Sequence, residues 1–197
     1  MASPARQLVD RRAFVARLLA ATPEALVVTG LGSPTYDAFA SGDSARYFYL
    51  WGAMGGAAPM GLGLALAQPG RPVIVLTGDG EALMGLGSLA TIAAQRPANL
   101  TVVVLDNGHY GETGMQKSHT SLGTDLVAVA RGCGLRESFA VDRLEAADEI
   151  ARRVNARQGA ALVQVSIEAD EPPRALPSRD GVHVKNRLRA ELGLAPF

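Results

Sequence analysis

Two uninterrupted apolar runs constrain this chain more than anything else in it: Val73 to Thr77 (VIVLT) and Asn99 to Asp106 (NLTVVVLD). A strand with one wet face alternates apolar and polar side chains. Runs that do not alternate belong to strands covered on both faces, and these occur in parallel sheets flanked by helices. The segments around them fit that frame. Leu8, Phe14, Val15, Leu18 and Leu19 fall at helical spacing and predict a helix over 5–20, stopped by Thr22-Pro23. A strand follows at 25–29, then a helix over 35–40 with Ser33 as its cap and Pro34 in its first turn. The pattern continues with a strand at 47–50 and a small-residue-rich helix within 52–70. A single helix is expected from Gly80 through Arg96. A polar, glycine-rich loop without periodicity spans 107–123. Helices at 124–132 and 143–157 alternate with strands at 137–141 and 161–167. A Pro- and charge-rich surface crossing runs from Glu171 to Gly181, and a last helix covers 182–192. The alternation predicts an α/β three-layer sandwich with a mainly parallel sheet. We expect one domain over 1–197, with an N-terminal helix and a C-terminal helical extension.

Composition narrows the partners. The chain is 48% hydrophobic and carries 19 basic against 19 acidic residues. That is too apolar for a disordered chain and too balanced for a surface built around nucleic acid or anionic lipid. Cys133 is the sole cysteine, so no internal disulfide forms, and a buried, inert thiol is expected. The opening MASPARQLVDRRAFVARLLAA mixes charge with apolar residues, unlike a secretory leader. No stretch approaches the roughly 18 apolar residues of a membrane span. A cytoplasmic protein with no membrane or nucleic-acid partner is expected.

In α/β folds of this kind ligands sit beyond the carboxyl ends of the strands. Gly78-Asp79-Gly80 ends the first apolar strand and Asp106-Asn107-Gly108-His109-Tyr110 ends the second. An Asp and an Asn at neighbouring strand ends are hard oxygen ligands aimed at one spot, half of a magnesium shell that phosphate oxygens and water complete. A helix beginning after Gly80 would favour a phosphate at the same place. As plain structure, both segments are also ordinary turns.

Residues 78–107, GDGEALMGLGSLATIAAQRPANLTVVVLDN, resemble the signature of thiamine-diphosphate enzymes: GDG, then residues 81 to 106, then Asn. The family usually ends in Asn-Asn, and this chain has Asp106-Asn107 instead. LATIA at 89–93 and VVLDNGHY at 103–110 are similar to sulfopyruvate decarboxylase, in its small separate subunit, and to phosphonopyruvate decarboxylase. The resemblance runs from about residue 25 to 167. It implies thiamine diphosphate and Mg2+ as cofactors. Asp79 and Asn107 would bind the metal through side-chain oxygens, and His109 through its carbonyl. Gly78 belongs to the same motif, the amides of Gly80 and Glu81 would face the diphosphate, and Tyr110 and Gly111 would close over it. Gly32 and Ser33 match a further diphosphate contact. In Trp51-Gly52-Ala53-Met54-Gly55, the Gly52 carbonyl would meet the aminopyrimidine and Met54 would wedge between the two rings.

The same resemblance implies a missing half. Such enzymes use two α/β domains, and the second supplies a glutamate to the pyrimidine. No catalytic residue is assigned here, Glu24 included, since the activating glutamate is expected from a separate pyrimidine-domain subunit. A hetero-oligomer acting on a small anionic 2-oxo acid is therefore expected, with self-association of the lone chain. The helix at 55–67 would serve either as the contact surface or as packing on its own sheet. His119, with Glu112, Thr113, Gln116 and Lys117, is a candidate for substrate contact, and His183 for solvated surface. The alternatives are a non-catalytic or regulatory cofactor-binding module, a Rossmann-type nucleotide binder, and a subunit of a different thiamine-diphosphate enzyme such as an oxidoreductase. Gly30 to Thr35 lacks the third glycine of a dinucleotide fingerprint, and the chain lacks cysteines for iron–sulfur clusters.

Overall fold

The computed structural model describes residues 8–195. Helix α1 (Arg11–Ala20) begins where Asp10 Oδ1 accepts the Ala13 amide at 2.9 Å. It does not begin at residue 5. Leu8 lies ahead of it, Val9 forms a parallel bridge with Ile167, and residues 5–7 are outside the described part. The Asp10 cap competes with helix here and wins. Next come β1 (Leu26–Thr29), α2 (Ser33–Ala40), β2 (Tyr47–Tyr49), α3 (Ala57–Ala67) and β3 (Val73–Gly78). The capping position of α2 is Gly32, at φ 80°, and Ser33 is the first helical residue, not the cap. A left-handed φ at that position suits glycine.

The single helix expected over 80–96 is two: α4 (Asp79–Met84) and α5 (Gly87–Gln95). The break has a packing cause. A Cβ on Gly85 would stand 2.6 Å from the Gly55 carbonyl oxygen, so the segment ahead of α3 rests directly on that turn. After β4 (Leu100–Asp106) the stretch expected to be irregular is folded. It holds a two-stranded antiparallel hairpin, β5 (His109–Tyr110) and β6 (Gln116–Lys117), with 3-10 turns at 111–113 and 119–122. Then follow α6 (Leu126–Gly132), β7 (Phe139–Val141), α7 (Ala146–Asn155), β8 (Ala161–Ser166) and α8 (Gly181–Glu191), the last capped by Asp180.

The sheet has six strands in the order β2-β1-β3-β4-β8-β7, every pair parallel. Alternate side chains of its central strands feed two separate cores. Ile74, Leu76, Val103, Leu105 and Val163 meet Phe14, Leu18 and Ala38, with Ile150, from α1, α2 and α7. Val73, Val75, Val102 and Val104 meet Leu62, Ile92 and Leu126 from α3, α5 and α6. That is the three-layer arrangement, and it explains why the strands carry no polar face. Helix α8 closes the β2 edge, where Arg187 donates to the Tyr47 carbonyl at 3.1 Å. Cys133, expected to be buried, is only half-buried, because it follows α6 at the rim of a groove.

Helix α3 packs on its own sheet through Gly61, where a Cβ would fall 2.1 Å from Val75 Cγ2, while Gly63 on the same helix faces open space. Gly61→Ala should therefore lower stability by about 1–3 kcal/mol through overpacking. Gly63→Ala should raise it by up to about 1 kcal/mol through helix propensity. Urea unfolding of the two variants checks this, and equal shifts would contradict the packing.

Candidate functional site

Strand order places the site before any side chain is considered. The connection from β1 to β2 leads outward one way, and the chain then crosses back past β1 to β3 and on to β4. The reversal opens a crevice at the carboxyl ends of β1 and β3, with β4 alongside. Three sequence segments open into it: Gly30 to Ser33 after β1, Gly78 to Glu81 after β3, and Asp106 to Gly111 after β4. A pocket lies there, lined by Ser33, Met54, Gly78, Asp79, Gly80, Glu81, Asn107, His109, Tyr110 and Gly111 among others.

Asp79 is 2% exposed. Burial pushes its carboxyl up to about 6, opposed by the Ser118 hydroxyl bond and reinforced by the nearby charge of Asp106. Its Oδ2 accepts from the Ser118 hydroxyl, and Thr120 Oγ1 lies 3.3 Å from it. The single Thr120 hydroxyl hydrogen goes to Asp106 Oδ1 at 2.8 Å, and Gln164 Nε2 donates to Asp106 Oδ2 at 2.5 Å. The folded loop after β4 thus bends back and orients the carboxylate that follows β3. Asn107 Oδ1 accepts the His109 amide at 2.9 Å, which sets the turn into β5.

Glu81 is 4% exposed, and its carboxylate is bonded within the protein. Its Oε1 accepts the Ala57 amide at 3.2 Å and its Oε2 the Thr77 hydroxyl at 3.0 Å. Burial raises its pKa, while bonds from Thr77 and the amides of Ala57, Gly55 and Leu31 pull it down. Gly80 has no room for a side chain, since a Cβ would lie 2.5 Å from the Tyr110 ring. The ring therefore roofs the main chain at the start of α4.

Two predicted residues do not line the pocket. Gly32 is beside it, under the Glu112 side chain, and Gly52 is exposed with open space around it. Glu112 lines the pocket but is engaged by Arg174 at 3.5 Å and by the Tyr36 hydroxyl at 3.4 Å. Thr113 also lines it, and its hydroxyl donates to Gln116 at 3.0 Å, while Gln116 and Lys117 are exposed. His119 and His183 are both exposed, and His119 is not in the lining. The His109 ring contacts the Asn107 carbonyl at 2.7 Å. Glu24 is exposed just ahead of β1, at the end of that strand remote from the pocket. Ser118, Thr120 and Gln164 were missed from sequence. A lone hydroxyl in a polar loop carries no signal until the loop is seen to fold onto Asp79.

The donor set fits a hard cation. Asp79, Asn107 and His109 offer carboxylate, amide and main-chain oxygens around one cavity. Among the described residues no three His, Cys, Asp or Glu side chains converge on a metal position. Few protein oxygens in an open pocket suit magnesium, which keeps room for phosphate oxygens and water.

A sequence model described as thiamine pyrophosphate enzyme, C-terminal TPP binding domain, matches residues 33–165. Phosphonopyruvate decarboxylase from Streptomyces viridochromogenes is 44% identical over 158 residues, 80% of this chain and 39% of that protein. Sulfopyruvate decarboxylase subunit beta from Methanocaldococcus jannaschii is 44% identical over 120 residues, 61% of this chain and 63% of that one. The chain thus spans about two fifths of the first relative and under two thirds of the second. Among solved structures, a thiamine diphosphate-dependent 4-hydroxybenzoylformate decarboxylase from Rhodococcus jostii RHA1 superposes with a TM-score of 0.71 at 26% identity, covering 87% of this chain and 35% of that one.

The raised pKa of Asp79 has a signed consequence. The folded metal-free chain holds that proton more tightly than the unfolded chain, so the cost of the charge is absent near pH 4 and complete above about pH 6. Asp79→Asn should therefore gain stability over wild type as pH rises through that window, reaching roughly 2–3 kcal/mol at pH 7 in metal-free buffer. Paired denaturant melts from pH 4 to 8 measure it, and a pH-independent difference would contradict the assignment.

Proposed function

The chain belongs to the thiamine pyrophosphate enzymes, matching their C-terminal cofactor-binding domain, and from that premise we propose that it is the diphosphate- and magnesium-holding subunit of a non-oxidative 2-oxo-acid decarboxylase. The substrate class is a sulfopyruvate- or phosphonopyruvate-like acid, as the names of the 44% identical relatives suggest. One observation carries the reading: Asp79 and Asn107, singled out by their places after neighbouring strands, and His109, named by the family resemblance, line one pocket at the switch point of the sheet.

When bound, thiamine diphosphate supplies a carbon nucleophile for the substrate carbonyl and a sink for the electron pair left by carbon dioxide. The chain's residues bind and orient. Asp79 and Asn107 give side-chain oxygens to magnesium and His109 gives its carbonyl. Gly78 and the amides of Gly80 and Glu81 take the diphosphate, helped by Gly32 and Ser33 ahead of α2. Tyr110 and Gly111 cover it and exclude water. Met54 and the Gly52 carbonyl hold the organic half. No carboxylate of this chain is assigned to the pyrimidine. A separate pyrimidine-domain subunit supplies that group, in keeping with relatives named as beta subunits. We place the assembly in the cytoplasm. Among the described residues no helix is long and apolar enough to cross a membrane. The retained metal donors favour turnover over a purely regulatory module.

The purified chain, saturated with magnesium and cofactor, should release little or no carbon dioxide from sulfopyruvate or phosphonopyruvate. Adding the pyrimidine-domain subunit should restore it, and robust turnover by the chain alone would overturn the assembly. In the restored complex, Met54→Ala should cut kcat roughly tenfold or more while cofactor affinity changes little, because the diphosphate grip is untouched. Wild-type kcat would return Met54 to ordinary packing.

A further inference from the structure

One buried acid in the pocket wall is not used by this reading for its side chain. Glu81 contributes an amide to the site, yet its carboxylate is buried where three separate segments meet. Oε1 accepts the Ala57 amide at 3.2 Å and Oε2 the Thr77 hydroxyl at 3.0 Å. The amides of Gly55 and Leu31 lie close enough to favour the carboxylate's charged form. Contact with the loop after β1 is close: a Cβ on Gly30 would stand 1.6 Å from Oε2, so only glycine leaves space for the carboxylate. Gly30 and Leu31 lead into Gly32 and Ser33. Gly55 and Ala57 directly follow Met54. Thr77 is the next-to-last residue of β3, two residues before Asp79.

We propose that Glu81 is a positioning residue whose buried carboxylate joins the loop after β1 to the Gly52–Ala57 segment, so that the parts gripping the two halves of the cofactor are held at a fixed separation. This rests on the site assignment under Proposed function. The chemistry of the group supports it. Each oxygen takes one bond, from the Ala57 amide and the Thr77 hydroxyl, and the amides of Gly55 and Leu31 favour the charged group from nearby. Backbone N–H groups cannot reverse their role. A glutamine in the same volume offers one oxygen and turns N–H groups toward the rest; the Thr77 hydroxyl can turn to accept from its nitrogen, but an amide facing that nitrogen loses its acceptor. A role as mere filler would be kept by glutamine, whereas a role as joint would not. The segment it anchors needs anchoring, since Ala53 (φ 46°), Gly52 and Gly55 all have positive φ and Gly52 is exposed, with open space where a side chain would stand.

The test is Glu81→Gln, read in two ways. In the full chain without cofactor, amide hydrogen exchange at Leu31, Gly55 or Ala57 should rise at least tenfold, while the β3 and β4 amides keep their protection. In the complex with the pyrimidine-domain subunit, kcat at saturating cofactor should fall roughly a hundredfold, as expected for misplaced reacting groups. Cofactor affinity should fall about tenfold or less, one lost hydrogen bond's worth. Unchanged exchange at all three amides overturns the joint. Raised exchange with wild-type kcat overturns its positioning role. A wild-type complex that neither binds cofactor nor turns over would instead sink the functional reading and leave the exchange result standing. Should Glu81→Gln not fold, Gly30→Ala displaces the carboxylate sterically while keeping its charge. It should raise exchange at the same amides, and wild-type protection there would equally overturn the proposal.

Discussion

Register between β3 and β4 is the constraint on which the rest depends. Both strands are buried on both faces, so a slip of one residue would move every side chain into the wrong core. The pairing runs from Val73 opposite Leu100 to Gly78 opposite Leu105. With that ladder locked, the next residues of each chain, Asp79 and Asp106-Asn107, emerge side by side. Nothing local holds them together; the apolar cores on either side do. The same ladder, through β1 and Leu26 opposite Val73, brings the Gly30–Ser33 turn to the same edge.

The charges at that edge are arranged unlike those at the other buried acid among the described residues. Asp37, fully buried between α1 and α2, is flanked by two guanidinium groups, Arg11 at 3.1 Å and Arg12 at 3.1 Å. Asp79 and Glu81 are held by hydroxyls and main-chain amides instead. Burying a carboxylate is costly unless it is well bonded or paired. Glu81 is bonded at both oxygens, by the Ala57 amide and the Thr77 hydroxyl. Asp79 is less so, which is why its proton is held up to about pH 6. A bound cation would relieve that cost, and the Ser118 hydroxyl keeps the carboxylate aimed without neutralising it. Geometry and electrostatics therefore agree on which acid stays available and which is structural.

Much of the architecture was legible from pattern. Continuous apolar strands, helical spacing and the turn residues located every strand of the large sheet and most helices. What failed had a packing cause. The helix expected over 80–96 breaks because Gly55 of a distant segment presses on Gly85. The first helix starts late because Asp10 caps it. The loop over 107–123 carries no periodicity because its order comes from reaching across to Asp79 and Asp106, not from a face of its own.

The site divides in the same way. Residue chemistry and spacing determined which groups could hold magnesium and phosphate, because those ligand types must follow strands, and strands announce themselves by their apolar runs. Only the tertiary structure decided that Ser118, Thr120 and Gln164 orient the carboxylates of Asp79 and Asp106, and that Gly52 stands outside the pocket. Only it decided that the Glu81 side chain faces inward. Each of these depends on where a segment remote in sequence comes to rest, and that is set by the summed packing of the two cores, which local pattern does not encode.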